Sequence, residues 1–427
     1  MTAPLSSEQL DQLLRSCVQC GLCLPTCATY LATGDETYSP RGRLLLLGEV
    51  VAGGLDPGAP GLDESFGTCL GCMACSATCP SGVSFDLLET LNAMGQTPTP
   101  VTGLLDRPGV LKILRGGVGA ARTLLRVGFG ADWRRRLDAG PRSVARLVRL
   151  LGIMPDSPDH DGKLLAMLDR MTGLTTSPTD PPAPAHTDGP HLAWFTGCAD
   201  AALLPGTQRR LGRLLTDLGC ILETPADQVC CGAVAAHTGR PERAQQQHQR
   251  NLEVFDESLA RCDHVLVASA GCGRELQRHD DALSGRTVDA AVLLDRLAPA
   301  NLGAVPLRVA LHDPCHARHG QGIVAEPRRL LRRIPGLRLL EPVEADVCCG
   351  GAGVFGVEHP ELAAAMGRRK ALNLLATGCQ LVVTTNPGCQ GHIADALALT
   401  APGVPILPLS DLVWYAWQRG LVGRTTP

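Results

Sequence analysis

Sixteen of the nineteen cysteines fall into two patterns capable of inorganic chemistry. Cys17, Cys20, Cys23 and Cys27 are spaced C-x2-C-x2-C-x3-C, and Cys69, Cys72, Cys75 and Cys79 repeat the run, with Pro80 after the last. In such a run three thiolates occupy corners of one iron-sulfur cube, and the fourth reaches a second cube. The spacing therefore assigns Cys17, Cys20, Cys23 and Cys79 to one [4Fe-4S] cluster, and Cys69, Cys72, Cys75 and Cys27 to another. Structural zinc normally takes two separated cysteine pairs, not two runs of three. Ala28 stands where proline often follows the fourth cysteine, which alters a turn and removes no ligand.

The second pattern is a duplication. Cys198, Cys230, Cys231 and Cys272 recur as Cys315, Cys348, Cys349 and Cys389 at offsets of 117, 118, 118 and 117 residues. Cys-Cys-Gly at 230–232 and 348–350 keeps step, as do Pro241-Glu242 and Pro360-Glu361. A buried thiol kept only for packing could be Ala or Val at little cost, so eight cysteines in matched places favour iron binding. One or two further [4Fe-4S] clusters are expected here, either one per half or one shared at the boundary between halves. Cys262 and Cys379 also repeat, but a strand of about seven residues at roughly 3.3 Å each separates them from the terminal cysteines. With Cys220 they read as buried apolar thiols.

These ligands need elements to carry them. In each half a short apolar run, LAWFTGC or RVALHDPC, reads as a buried strand ending at a cysteine. Leu211, Leu214, Leu215 and Leu218 then mark a helix stopped by Gly219. The Cys-Cys-Gly turn follows, then a helix opened by proline, and then a second strand, HVLVASAGC or QLVVTTNPGC. Ligands thus gather at the carboxyl ends of parallel strands, where α/β folds place their sites. The N-terminal region reads as helices. Ser6 and Gln9 suit a capping box, Leu10, Leu13, Leu14 and Cys17 share a face, and Ser39-Pro40 opens a helix that runs to Gly53.

The fold class expected is multidomain α plus α/β: a two-cluster α-helical domain (1–100), a basic helical connector with a Pro-rich linker (101–190), and two Cys-Cys-Gly repeats with short parallel sheets (191–305 and 306–427). The chain has 427 residues, 44% hydrophobic and 19% charged, and carries no apolar run long enough to span a membrane. Its start, MTAPLSSEQLDQLL, has no export signature, so a cytoplasmic location is expected, where thiols stay reduced and serve metals rather than disulfides. A net charge of −3 gives no reason to invoke nucleic acid. Residues 107–149 nevertheless hold eleven Arg or Lys against Asp132 and Asp138. That island reads either as a peripheral contact with anionic lipid or an acidic partner, or as solvated helix faces.

CVQCGLCLPTCATY, SPRGRLLLLGEV and CLGCMACSATCPSGV, with FTGCAD, VCCGAV, SAGCG, HDPCH, CCGGAG and NPGCQGH behind them, resemble the iron-sulfur subunit of bacterial glycolate oxidase over nearly the whole chain. Subunits of anaerobic glycerol-3-phosphate dehydrogenase and heterodisulfide reductase share the duplicated module. The resemblance implies an α-helical ferredoxin domain and a partner flavoprotein whose FAD oxidises glycolate to glyoxylate. This chain would pass the electrons towards a quinone or similar acceptor, hold no flavin, assign no catalytic residue of its own, and be inactive alone. A heterodisulfide-reductase-like subunit, or the iron-sulfur subunit of another 2-hydroxy-acid or glycerol-3-phosphate dehydrogenase, is the alternative. Against the former, the C-x-x-C ending that supplies an extra thiolate is replaced by Cys272-Gly-Arg-Glu275 and Cys389-Gln-Gly-His392. A cluster-based sensor would need a nucleic-acid domain, and none is visible. Gly351, Gly353 and Gly356 spell G-x-G-x-x-G, but a cysteine pair precedes them and no ribose-binding acid follows about 20 residues on. His312, His316 and His319 crowd Cys315 and could tune a cluster or carry protons, but the expectation is exposed or core-satisfied side chains.

Overall fold

A computed structural model describes residues 7–83, 161–176, 189–297 and 301–422. The basic island at 107–149, most of the Pro-rich linker and Ser6 of the expected capping box lie outside the described residues.

The N-terminal part is helical: α1 (Ser7–Arg15), α2 (Ala28–Thr33), α3 (Pro40–Val51), α4 (Leu62–Gly67) and α5 (Ala74–Thr78). Ser39 caps α3 as its type predicts, its Oγ accepting from the Gly42 N–H at 2.9 Å with Pro40 as the first helical residue. Leu44 and Leu47 of α3 pack with Leu62 and Phe66 of α4 and with Val83 into a small core. That core fixes the two cysteine loops relative to one another.

Eight strands follow: β1 (His191–Phe195), β2 (Ile221–Glu223), β3 (His264–Val267), β4 (Thr287–Asp289), β5 (Arg308–Leu311), β6 (Arg338–Leu340), β7 (Leu381–Thr384) and β8 (Ile406–Pro408). They form two four-stranded sheets of order β2-β1-β3-β4 and β6-β5-β7-β8. Every pairing is parallel; Ala193 lies opposite Val265 in the first sheet and Ala310 opposite Val382 in the second. The apolar runs became the central strands β1, β3, β5 and β7. The outer strands have three residues each, too short for periodicity to mark them.

One apolar core spans both repeats. Trp194, Leu214 and Leu266 of the first pack in the same cluster as Val309, Leu330, Val383 and Trp414 of the second, and Leu164, Leu165 and Leu168 of the helix Asp161–Thr172 join them. Inside this contact Arg210 Nη2 donates to Asp411 Oδ2 at 2.8 Å and its Nε to Oδ1 at 2.9 Å, both side chains fully buried. The two sheets are therefore held together by shared apolar burial and a buried bidentate ion pair.

Candidate metal centres

The two C-x2-C-x2-C loops repeat a backbone habit as well as a spacing. Gln19 and Gly71, two residues past the first cysteine of each loop, have φ of 53° and 62°, and Gly21 and Met73, two further on, have 79° and 62°. Left-handed residues at alternate positions make successive N–H groups line a concavity that holds an anion. Gln19 and Met73 bear β-carbons and accept this conformation at a cost of order 1 kcal/mol, so both loops are shaped for a negative guest.

The thiols gather accordingly. Cys17, Cys20, Cys23 and Cys79 line one pocket, and Cys27, Cys69 and Cys72 line another, with Cys75 on the wall of both. Burial pushes the Cys69 and Cys75 thiols up, and neighbouring cysteines add to the shift at both. Arg43 of α3 lies on the wall of the second pocket, 2% exposed. Its Nε donates to the Ser65 carbonyl at 2.7 Å and its Nη2 to Thr68 Oγ1 at 3.1 Å; among the described residues no carboxylate lies within 4 Å of it. A buried cation without a counter-ion is costly, and a tetrathiolate iron-sulfur cluster is anionic. The donor set, the loops and this arginine all fit [4Fe-4S] clusters.

In each repeat the central strands deliver the cysteines. Cys198 opens the helix Cys198–Leu203 just after β1, and Cys272 lies in the first turn of the helix Ala270–Gln277 after β3. Cys315 and Cys389 stand likewise after β5 and β7, the latter in the helix Pro387–Thr400, whose Asn386 cap accepts from the Gly388 N–H at 2.8 Å. The terminal cysteines thus open helices, where the sequence pattern predicts the second strand running up to them. The Cys-Cys pairs come from turns closed by Gly232 (φ 100°) and Gly350 (φ 87°). A β-carbon on Gly350 would lie 2.8 Å from Met366 of the helix Pro360–Ala376, so only glycine allows this approach.

Within the first quartet Cys198 donates to Cys230 with the sulfurs 3.7 Å apart, while Cys231 bonds both Cys230 and Cys272. Those donated hydrogen bonds lower the Cys230 thiol, and Cys198 and Cys231 are pushed well up, first by the same bonds and then by burial. In the second quartet Cys348 contacts Cys315 and Cys349, and Cys349 contacts Cys389. Four thiolates gathered this closely require a metal's charge. All eight cysteines, with Cys69, line a single cavity of about 190 Å³ between the repeats. Across it the Ala270 N–H donates to the Thr385 carbonyl at 3.2 Å.

The N-terminal part docks on the second repeat. Ala28 and Leu70 pack with Val347, Cys348, Phe355 and Met366, and the Cys72 and Cys348 thiols lie side by side in that cluster. His316 Nε2 donates to the Gly71 carbonyl at 3.2 Å, and His319 Nε2 to the Asp346 carbonyl at 2.7 Å, so both are satisfied as expected. His312 departs from that expectation: it is buried beside Cys349 and Cys389, and its Nε2 has no hydrogen-bond partner among the described residues. Cys262 is hydrogen-bonded with Glu223, Cys379 donates to the Leu374 carbonyl at 3.5 Å, and Cys220 is buried in the main core; none of the three lines the cavity. Arg43 carries no signal of its own in the sequence, where an arginine in SPRGR looks like any solvated helix residue.

The cysteine-rich domain family matches residues 192–277 and 309–394, and the 4Fe-4S dicluster domain family matches residues 13–83. The chain is 29% identical to the glycolate oxidase iron-sulfur subunit of Escherichia coli (strain K12), over 91% of each chain. It is equally 29% identical to a "Probable glycolate oxidase iron-sulfur subunit" of Bacillus subtilis (strain 168), over 90% of this chain and 89% of the relative. This chain resembles the glycolate oxidase iron-sulfur subunits over nearly its whole length. Identity falls to 25%, still over 96% of each chain, with a component of the dihydromethanophenazine:CoB–CoM heterodisulfide reductase of Methanosarcina barkeri. The dicluster match agrees with the two [4Fe-4S] clusters expected from the spacing, and the duplicated cysteine-rich match with the two offset quartets. Among the described residues no helix is long and apolar enough to cross a membrane.

Proposed function

We propose that this chain is the electron-transfer subunit of a 2-hydroxy-acid dehydrogenase complex of the glycolate-oxidising kind. A flavin in a partner subunit takes two electrons from the substrate, and the thiol-held centres of this chain receive them one at a time and hand them to a quinone or similar acceptor. The observation that carries the reading is the run of thiol groups. The Cys17 pocket shares Cys75 with the Cys27 pocket, Cys72 of the latter meets Cys348 of the second quartet, and that quartet shares a cavity with the first. Clusters held by these residues would form a continuous file through the protein. In the N-terminal domain Cys17, Cys20, Cys23 and Cys79 would hold one [4Fe-4S] cluster and Cys27, Cys69, Cys72 and Cys75 the other; each quartet of the duplicated module would hold a further iron centre.

Co-purification of the native complex, followed by dye-linked oxidation of glycolate, D-lactate and glycerol-3-phosphate, tests this. Glycolate-dependent dye reduction that needs both the flavoprotein and this chain supports the proposal. Turnover by this chain alone, or stoichiometric FAD within it, defeats it. A second reading rests on the cavity itself, whose lining includes all eight module cysteines and is largely apolar: a heterodisulfide-reductase-like subunit would bind a small thiol substrate there. Disulfide-dependent oxidation of the reduced chain would select that reading.

A further inference from the structure

The two repeats are not equivalent around their metal sites. By the offset that relates Cys198 to Cys315, His312 is the counterpart of Phe195. Phe195 ends β1 and packs on Phe255, ring centroids 6.0 Å apart, in the apolar cluster that encloses Cys230, Cys231 and Cys272. The same place in the second repeat holds an imidazole. His312 is 2% exposed, and its Nε2 has no hydrogen-bond partner among the described residues. A ring nitrogen of His312 and the sulfurs of Cys349 and Cys389 all lie within 4.8 Å of one another. A buried unpartnered nitrogen destabilises the fold, and nothing in the packing requires an imidazole where the first repeat uses phenylalanine. A metal ion shared with the two thiols beside the ring would give the imidazole a partner that the described residues do not otherwise supply.

The position of the missing fifth thiolate points the same way. His392 stands where a C-x-x-C ending would put that thiolate, but it is packed against the helix Pro360–Ala376, where a β-carbon on Gly367 would lie 2.7 Å from its Nε2. His392 is not part of the group that His312 forms with Cys349 and Cys389. The histidine beside two cysteines of the second quartet thus comes from the end of β5 and not from the helix after β7.

We propose that His312 is a ligand of the second-repeat metal centre, so that the duplicated module holds one all-cysteine site and one mixed cysteine–histidine site. This rests on the reading of the quartets as iron sites. A neutral imidazole adds less negative charge than a thiolate, and histidine ligation raises cluster potentials where it replaces cysteine. The second-repeat centre then has a higher potential than it would with a thiolate in the place of His312.

The test uses the full-length chain loaded anaerobically with iron and sulfide. Pulsed electron paramagnetic resonance should reveal the strong nitrogen hyperfine coupling of a metal-bound imidazole, altered when the histidines carry ring ¹⁵N. The coupling should vanish in His312→Phe, which copies the packing of the first repeat, and in His312→Cys, which should keep its iron and show a lowered potential. A paramagnetic second-repeat centre that Cys389→Ser removes but that lacks strong nitrogen coupling would overturn the proposal, as would coupling that survives in His312→Phe. Iron confined to the ferredoxin complement of about eight atoms per chain would instead overturn the reading of the quartets themselves, and the ligand assignment with it.

Discussion

Cys72 of the N-terminal ferredoxin loop and Cys348 of the second repeat lie beside one another across the boundary between two separately matched domains. A residue from each of two candidate metal sites thus lies beside the other, which makes the second-repeat quartet an immediate neighbour of the ferredoxin ligands. Replacing Cys348 by Ser should leave the N-terminal clusters in place, because none of their own ligands is replaced, while abolishing the second-repeat centre. Iron and sulfide analysis should show the loss of that centre alone, and rapid-mixing reduction through the flavoprotein should still fill the ferredoxin clusters. Loss of all iron would contradict this.

Arg43 bears on the potential of the cluster assigned to Cys27, Cys69, Cys72 and Cys75. Its charge stabilises the reduced, more negative form, so Arg43→Met should lower that cluster's potential by an amount on the order of 1–2 kcal/mol, or several tens of millivolts. The cluster assigned to Cys17, Cys20, Cys23 and Cys79 should move less. Arg43→Lys keeps the charge but cannot copy the fork to Ser65 and Thr68, so it should recover most of the potential and less of the stability. An equilibrium redox titration followed by electron paramagnetic resonance separates the two outcomes.

What could be read from the sequence divides along the same line as range of interaction. Cys17 to Cys79 and the offset quartets were legible because ligand spacing is a local property, and β1, β3, β5 and β7 because buried parallel strands are continuously apolar. Ser39-Pro40 marked a helix start for the same reason. The three-residue edge strands left no pattern, since their pairing is decided by the neighbouring strand. Neither the burial of Arg43 nor the position of His312 against Cys349 and Cys389 has a local signature. Both arise when segments remote in sequence close over them.

The ion pair between Arg210 and Asp411 joins a helix of the first repeat (Pro205–Asp217) to one of the second (Leu409–Val422). Arg210→Met leaves Asp411 as a buried charge and should destabilise the folded chain by about 3–5 kcal/mol, whereas Asp411→Asn should cost less because Asp161 Oδ1 still lies 3.4 Å from Arg210 Nη1. The double replacement Arg210→Met with Asp411→Leu should recover much of that loss. Chemical denaturation of the cluster-loaded chain measures all three, and equal loss in the single and double variants would contradict the pairing.

His279 supplies a pH dependence well away from the cysteines. Its ring stacks on His248 with centroids 3.4 Å apart, and His248 Nε2 lies 2.6 Å from Asp281 Oδ2. Burial, and then the neighbouring His248, lower the His279 pKa to about 4. Its unfolded value is about 6.5, so the folded state binds this proton less readily than the unfolded one. Above that unfolded value the ring is neutral in both states and costs nothing. As pH falls from about 6.5 towards 4 the unfolded chain takes up the proton first, and stability is lost across that window; below it no further loss comes from this group. Half-burial lets solvent screen part of the effect, leaving about 1–2 kcal/mol at the acid end. His279→Gln should flatten the pH dependence of the denaturation midpoint between pH 6.5 and 4 relative to the parent chain, with little change at pH 7.5. Parallel profiles for the two proteins would show that His279 does not carry the acid sensitivity.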